Sequence, residues 1–599
     1  MDNGQNGGLM LFRKYDLVGS MNQASNPFTM PDNDFLYLKN ISQDEFGALQ
    51  KDGGYTVYGT MQAGTGGTQL FNYVKNDGTN KLIAITGTDL QGATGTTWAN
   101  IDTSEFTAGK QASEANFLDR LYLATDDKGL VYTDGSSALD FTLVPQGNTY
   151  SLGDSTTQFD ITNPAGTTWR YTYDATGTDP LLSTYITVGD TIVIAAQNFT
   201  ANNNETAVVT AVTSTYFEIT SAAGTAETNK TIGTGSITVR GTVMGKYLAV
   251  MEDIMFLGHL THTHNRNQVV WTKSGTHQFF KDGESYKTTS NKVTVDGEVT
   301  GIKSFRGLLY IFTSSGMYYF NISNLETKLL YSHGTTSHHS IKELWGNLVW
   351  ADRSGIHMFN GEGLPQNISR KIQNTQINSI WKLIDGDNWG SLYANVKDDK
   401  YRLSVGTLTG TMPGDSGAQS NVVLTFDYAK NTWSFLTNHT KGQWVNFIDS
   451  NGDQQELFCD PASRVVYKRD YSYSHNGTAI TAVARTQYYH MGSPEIDKTF
   501  QRCFIMVRPQ NQSTKYITVK VAYNGTNSYT TVVDNSTGNK LSLSGATTES
   551  HVIKRVDMVN PNVGYTISYE FSNADDAINF GVLGFTQTYK EKSFNMNVS

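Results

Sequence analysis

Histidines are the first residues to weigh, because an imidazole binds metal ions and moves protons near neutral pH. The stretch "HLTHTHNRN" brings together His259, His262 and His264. On a strand, residues two apart point to one side, so His262 and His264 have a spacing able to hold a metal ion. No matching third ligand is evident, and the polar surroundings read as a solvated loop. The pair His338 and His339, in "SHHS", is a weaker candidate still. No catalytic, cofactor-binding or metal-ligating residue is assigned from the sequence, and no cofactor is expected.

Other chemistries fare no better. There is no phosphate-cradling Gly-Lys-Ser/Thr loop, no Gly-x-Ser-x-Gly elbow context and no His-Glu-x-x-His helix. "TDDKGLVYTD" and "ADRSGIHMF" resemble the Asp-box turns of sialidase-type propellers, which are structural even in those enzymes. A sialidase also needs clustered arginines and a Tyr–Glu nucleophile pair, whereas Arg306, Arg353, Arg370 and Arg402 are scattered. Trp381, Trp389 and Trp433 would suit a sugar platform if exposed, but strand layers need such rings for their core. The Asn-x-Ser/Thr triplets at Asn321 and Asn524 follow from an Asn- and Thr-rich composition and are not read as glycosylated. The expectation is a protein without catalysis.

Composition narrows the class. The chain has 599 residues, enough for two to four domains, and only 17% of them are charged. Abundant Gly, Thr, Asn and Tyr suit short strands and tight turns rather than long exposed helices. A net charge of −10 argues against a protein that grips phosphates, which requires Lys and Arg to displace counterions. It leaves room for DNA that passes without being held, since like charge keeps a polymer from sticking. Cys459 and Cys503 alone make neither a disulfide framework nor a zinc site. The opening residues lack a secretion signal, and the most apolar stretch, "YLAVMEDIMFLG", carries Glu252 and Asp253, so no membrane span is expected. These features predict a soluble protein made in a reducing compartment.

The elements come from a repeated phrase. "RGLLYIFTSSGMYYFNIS" from Arg306 and "GNLVWADRSGIHMFNGE" from Gly346 share an apolar run, a small-polar turn and a second run. Relatives begin at Asp119, Asp253 and Gln455, with looser members near Lys81 and Asp398. Each is a hairpin, and a lone hairpin cannot hide its apolar face. Spacings of roughly 40 to 57 residues fit four-stranded propeller blades. The pattern predicts an all-β fold: a β-propeller of six, or seven, blades over 61–140 and 244–471. A β-sandwich with chance hairpin similarity is the alternative architecture.

Residues 141–243 interrupt the phrase with alternating β-branched runs and read as an inserted small β-barrel. After Tyr471 the phrase stops. Ile517, Val519, Val521 and Tyr523, then Tyr565, Ile567, Tyr569 and Phe571, alternate with polar residues, which predicts a C-terminal antiparallel β-sandwich over 472–599. Residues 1–60 read as an arm plus a hairpin, packed on the propeller or on a neighbouring subunit.

With these elements in order, the opening resembles that of the β-propeller tail proteins of short-tailed bacteriophages, the tail nozzle (tail tubular B-like) and packaged-DNA stabilisation hub proteins. The matching residues are Asn26 and Pro27, Pro31, Asn40, Asp44 with Glu45, Gly47, Leu49, Lys51, and Gly54 with Tyr55. Asp52 departs from that pattern, which usually has a basic residue there. The resemblance continues through "GEVTGIKSFRGLLYIFTSSGMYYF" and covers most of 20–470. It implies a structural subunit of the virion tail, assembled in the host cytoplasm as a homo-oligomeric ring, commonly sixfold. Such a ring sits below the portal and adaptor, holds tail fibres or spikes, and retains packaged DNA before conducting it during ejection. A receptor- or glycan-binding tail propeller is the alternative, and a glycosidase the third possibility.

Overall fold

The computed structural model describes residues 9–592 apart from 45, 63–67, 128–129, 137, 141–149, 181, 187, 189, 241–243, 262–264, 277–278, 280–289, 375–377, 441, 471, 511–514, 533–540, 544–549, 559–561 and 580. The chain is almost wholly β, and six small sheets stand around one axis as blades of a β-propeller. Blades 1 to 5 span 69–102, 113–140, 245–294, 299–331 and 342–367. The last small sheet, blade 7 over 444–469, takes its fourth strand from the other end of the chain, where Tyr55–Thr60 pairs antiparallel with Val465–Arg469. Between blades 5 and 7, the four strands of 393–436 occupy one more blade position, blade 6, while belonging to a ten-stranded sheet that runs on into the C-terminal region. The innermost strands follow one another round the axis, and Trp444–Ile448 neighbours Gln69–Val74 to close the ring.

The repeated phrase is the middle hairpin of each blade. In blade 4 it is Leu308–Thr313 with Met317–Asn321, and in blade 5 Asn347–Asp352 with Gly355–Phe359. These strands are apolar on both faces because each is covered on both sides. Phe305, Tyr310, Phe312, Leu348, Trp350 and Phe359 form one cluster between blades 4 and 5. Burying such a side chain contributes about 1.5–3 kcal/mol, so each blade is stabilised by both neighbours.

The inserted region lies between blades 2 and 3. Its eight strands, within 150–240, form one antiparallel sheet rolled round its own core of Phe159, Ile161, Tyr171, Ile194, Phe217 and Ile219. The Tyr171 and Phe217 rings stack at 4.9 Å.

The C-terminal sandwich is assembled from both ends of the chain. One layer joins Lys498–Val507, Val552–Asp557 and Val582–Glu591 to Met10–Lys14 and Leu49–Lys51. The facing layer joins Tyr516–Tyr523, Ile567–Asn573 and Ala482–Thr486 to Phe35–Lys39. Tyr569 and Phe585 meet across the layers at 4.5 Å. The alternation differs from expectation in one respect: Tyr565 is exposed, whereas Ser568 and Glu570, read as the polar face, are buried. That second face is covered too, because Arg485 bonds Glu570 at 2.7 Å while donating to the Pro413 and Gly414 carbonyls of a blade 6 loop. No helix among the described residues is long and apolar enough to cross a membrane.

Candidate functional site

A propeller's axis and the two faces around it are where its inner strands present side chains. Here the axis is closed. The short 3-10 turn His338–Ser340, in the connection from blade 4 to blade 5, reaches across it. His338 Nδ1 accepts the Ile302 N–H at 3.4 Å, so Nε2 carries the proton and donates to Ser113 Oγ of blade 2 at 3.1 Å. Ser113 Oγ also accepts the Leu248 N–H of blade 3 at 2.9 Å. Gln111, just ahead of blade 2, donates to the Tyr393 hydroxyl of blade 6 at 3.1 Å, and the His339 ring lies 5.1 Å from that of Tyr393. Blades 2 and 6 are not neighbours, so this contact spans the axis. Burial pushes both imidazoles down, His339 to about 3 with Lys342 and Lys246 adding, and both rings are neutral structural plugs.

Above the plug opens a vestibule of about 340 Å³, lined by Glu114, Asn116, Lys303, Ser304, Lys342 and Glu343. Burial lowers the Lys342 pKa from its ordinary value, Glu114 opposes and Lys303 adds. On the far arc of the axis, asparagines lace the inner strands together. Asn72 Nδ2 donates to the Asn446 carbonyl at 3.0 Å, and Asn446 Nδ2 donates to that of Val396 at 2.7 Å.

The vestibule opens on the face that carries the turns leaving each inner strand. Five successive turns round the ring, those of blades 6, 7, 1, 2 and 3, present exposed carboxylates: Asp398, Asp453, Asp77, Asp119 and Glu252. Among the described residues none of these has an ion-pair partner within 4 Å. The remaining two turns carry Arg306 in blade 4 and Trp345 in blade 5, both in the left-handed region at φ +50 and +48.

Ring closure has its own machinery at residues 51–55. Asp52 accepts from Arg469 at 2.6 Å, Arg469 Nε faces Glu456 at 3.4 Å, and Glu456 accepts from Arg402 at 2.8 Å, all of them buried. Tyr55 stacks on His475 at 4.7 Å and meets Phe458 edge-on.

The sequence candidates fall as follows. His259 lies on the strand Ile254–Leu260, half-buried, with Nδ1 2.8 Å from the Val299 carbonyl oxygen; it is part of a blade, not of a solvated loop. His262 and His264 lie outside the described residues. Of the four arginines, Arg402 is buried beside Glu456, while Arg306, Arg353 and Arg370 are exposed and form no carboxylate clamp. Trp381 and Trp389 are buried against each other at 5.2 Å, and Trp433 is 1% exposed, donating to the Ile368 carbonyl. Cys459 and Cys503 are buried and unbridged.

The Asp-box-like turn holds a Ser, His and Asp together. Ser354 Oγ is 2.6 Å from Asp352 and 3.1 Å from His357 Nε2, yet the same Nε2 faces Asp352 at 3.1 Å. A relay needs the carboxylate on the other ring nitrogen. This geometry ties a turn; it does not activate a hydroxyl. Sequence reasoning missed the plug and the exposed Trp345. The first depends on contacts far apart in the chain, and the second was legible as a tryptophan in a Trp-Gly hairpin turn, where Asn-Gly is usual.

No protein-family model matches this chain, and no curated protein sequence does. Solved structures that overlay on it include Ika8, a computationally designed protein, at 8% identity, covering 69% of this chain and 99% of that one with a TM-score of 0.31. A chain of the mitotic checkpoint complex is 7% identical over 75% and 98%, with a TM-score of 0.31. Hsv2 of Kluyveromyces lactis is 10% identical over 62% and 98%, with a TM-score of 0.25. Likenesses this loose carry no argument, and the propeller assignment rests on the strand order of this chain itself.

Proposed function

We propose that the chain is a non-catalytic structural subunit of a short-tailed bacteriophage tail, forming a ring-shaped nozzle or hub whose channel retains packaged DNA and conducts it during ejection. One observation carries the reading: the residues that resemble the tail-protein opening take structural roles in this architecture. Asn40 bonds Thr437 of blade 6 at 2.9 Å, Leu49 pairs with Val582 in the sandwich, and Tyr55 starts the strand that closes blade 7. The resemblance thus falls on what knits propeller to sandwich.

The closed axis constrains the mechanism. A polymer cannot thread the propeller past the Gln111–Tyr393 and Ser113–His338 contacts. Any conduit must therefore lie between subunits, each contributing an outer surface to the wall. An acidic surface suits that task, because like charge lets DNA slide past without arrest. Portal, adaptor and fibre or spike proteins are the expected neighbours in such a virion tail.

The test is particle mass and shape. A 66.0 kDa chain that assembles as proposed gives a species of several hundred kilodaltons in light scattering and a ring with an axial hole in negative-stain images. A stable monomer at assembly concentrations contradicts the proposal.

A further inference from the structure

We propose that a pocket between the N-terminal arm and the C-terminal sandwich binds one neutral sugar ring, packed on Phe28 and Tyr565 and hydrogen-bonded at His490 Nδ1 and Thr566 Oγ1. This inference goes beyond the tail reading and stands or falls without it.

Three parts of the chain build the walls. Tyr489 and Ile567 form an isolated antiparallel bridge, exchanging backbone hydrogen bonds at 2.9 and 3.1 Å. That register sets His490 opposite Thr566. Since Tyr489 and Ile567 point into the sandwich core, the next pair points away from it. Both residues line a cavity of about 370 Å³. Phe28 enters from the arm, wedged between the Tyr488 ring at 5.4 Å and Gly525, where a Cβ would fall 2.6 Å from its Cζ. Pro494 and Tyr565 add apolar surface, and the Phe28 and Tyr565 rings stay 39% and 45% exposed.

The polar atoms select the occupant. His490 Nδ1 and Thr566 Oγ1 are buried without a hydrogen-bond partner, and Thr566 is only 5% exposed. A buried polar atom left unmet is costly, so two in one pocket are a demand that a ligand can meet. Asn524 adds a donor, because its Oδ1 already accepts the Tyr565 N–H at 2.7 Å and Nδ2 is left to donate. Among the described residues, no charged side chain lines the cavity. Asp32, Glu495 and Asp497 lie nearby in the chain but outside the lining, and Lys498 is buried on the Ser493 and Ile496 carbonyls. An ionic ligand therefore finds no counter-charge. A hydrocarbon chain would leave both buried atoms unmet, and an aromatic side chain of a partner carries one polar group at most. A hydroxyl donates and accepts, so it satisfies Thr566 and either tautomer of His490. A sugar ring brings several hydroxyls around an apolar face. The volume is at the small end of ligand pockets, about 300–1,000 Å³, which suits a single ring.

The test is saturation-transfer NMR on the full chain, with glucose, galactose, mannose and N-acetylglucosamine as separate probes and N-acetyltyrosinamide as the aromatic rival. At least one sugar should receive saturation and titrate to a dissociation constant. Thr566→Val deletes only the buried hydroxyl. It should weaken that sugar about two- to tenfold, the worth of one hydrogen bond, without lowering the unfolding midpoint. Tyr565→Ser, a change at an exposed ring, should weaken it by a similar factor through lost ring contact and keeps the test open where Thr566→Val perturbs folding. The proposal is overturned if no sugar receives saturation, or if either folded variant binds the sugar as the wild type does. It is also overturned if N-acetyltyrosinamide binds more tightly than every sugar and Tyr565→Ser removes that binding, which assigns the pocket to an aromatic residue of a partner protein.

Discussion

Asp52 Oδ1 lies 2.6 Å from Arg469 Nη2, joining positions 417 apart in the chain. Burial works against the carboxylate, but Arg469, Lys400 and Arg402 outweigh it and hold its pKa well below the usual range. The ion pair therefore fastens the N-terminal segment to blade 7 at the point where the ring closes. Removing one partner of a buried pair costs up to about 3–5 kcal/mol, and without Asp52 the Arg469 cation must share Glu456 with Arg402. Asp52→Asn should lower the unfolding midpoint accordingly and strip amide protection from Tyr55–Thr60 first. Asp52→Leu with Arg469→Met should recover much of the loss, and a double variant as unstable as the sum of its singles would contradict this account.

Gly54 sits beside that pair with no room for a side chain. A Cβ there would fall 1.9 Å from the Ser472 carbonyl oxygen, a backbone atom that cannot step aside alone. Gly54→Ala should cost about 3 kcal/mol or more, in the tail of single substitutions to which overpacking and backbone strain contribute. Limited proteolysis should find new cleavage near 470–480 in this variant, and unchanged digestion would show that the closing strand tolerates displacement.

The blades were legible because each repeats one hairpin phrase whose two apolar runs are a local signal. The closing strand was not. Tyr55–Thr60 pairs with residues four hundred positions away, so nothing nearby in the sequence marks it as the fourth strand of blade 7. Asp52 shows the same limit in chemical form. It stood out only as a departure from a basic position, and its partner Arg469 gives the reason, since a second cation there would face Arg469 and Arg402. The plug was hidden likewise: "SHHS" looks polar and solvated, yet His339 is 7% exposed because the turn lies across the axis.

His475 makes ring closure sensitive to acid. Its ring is buried under Tyr55, and burial pushes its pKa from 6.5 to about 4, with a hydrogen bond to Gly53 opposing and Arg469 adding. Above pH 6.5 both folded and unfolded chains hold it neutral, and its contribution is fully present. Between about 6.5 and 4 the unfolded chain takes up the proton and the folded chain does not, so stability falls with falling pH, by about 3 kcal/mol in all. Buried His439, whose pKa is also lowered, adds in the same direction. Urea midpoints across this window should drop less steeply for His475→Gln than for the wild type, and parallel curves would refute the assignment.

Trp345 offers a test of backbone preference against side-chain packing. Its φ of +48 places a bulky side chain in the left-handed region, where all but Gly, Asn and Asp are disfavoured by about 1–2 kcal/mol. The exposed ring recovers little of that cost through packing within the chain, since 68% of its surface is accessible. Trp345→Asn supplies the residue a two-residue hairpin turn prefers. It should raise stability by about 0.5–1 kcal/mol. Blade 5 is the place to read it: amide protection in Lys342–Leu344 should rise. A less stable variant would show that contacts of the indole within the chain outweigh the strain of its backbone, and would contradict this account.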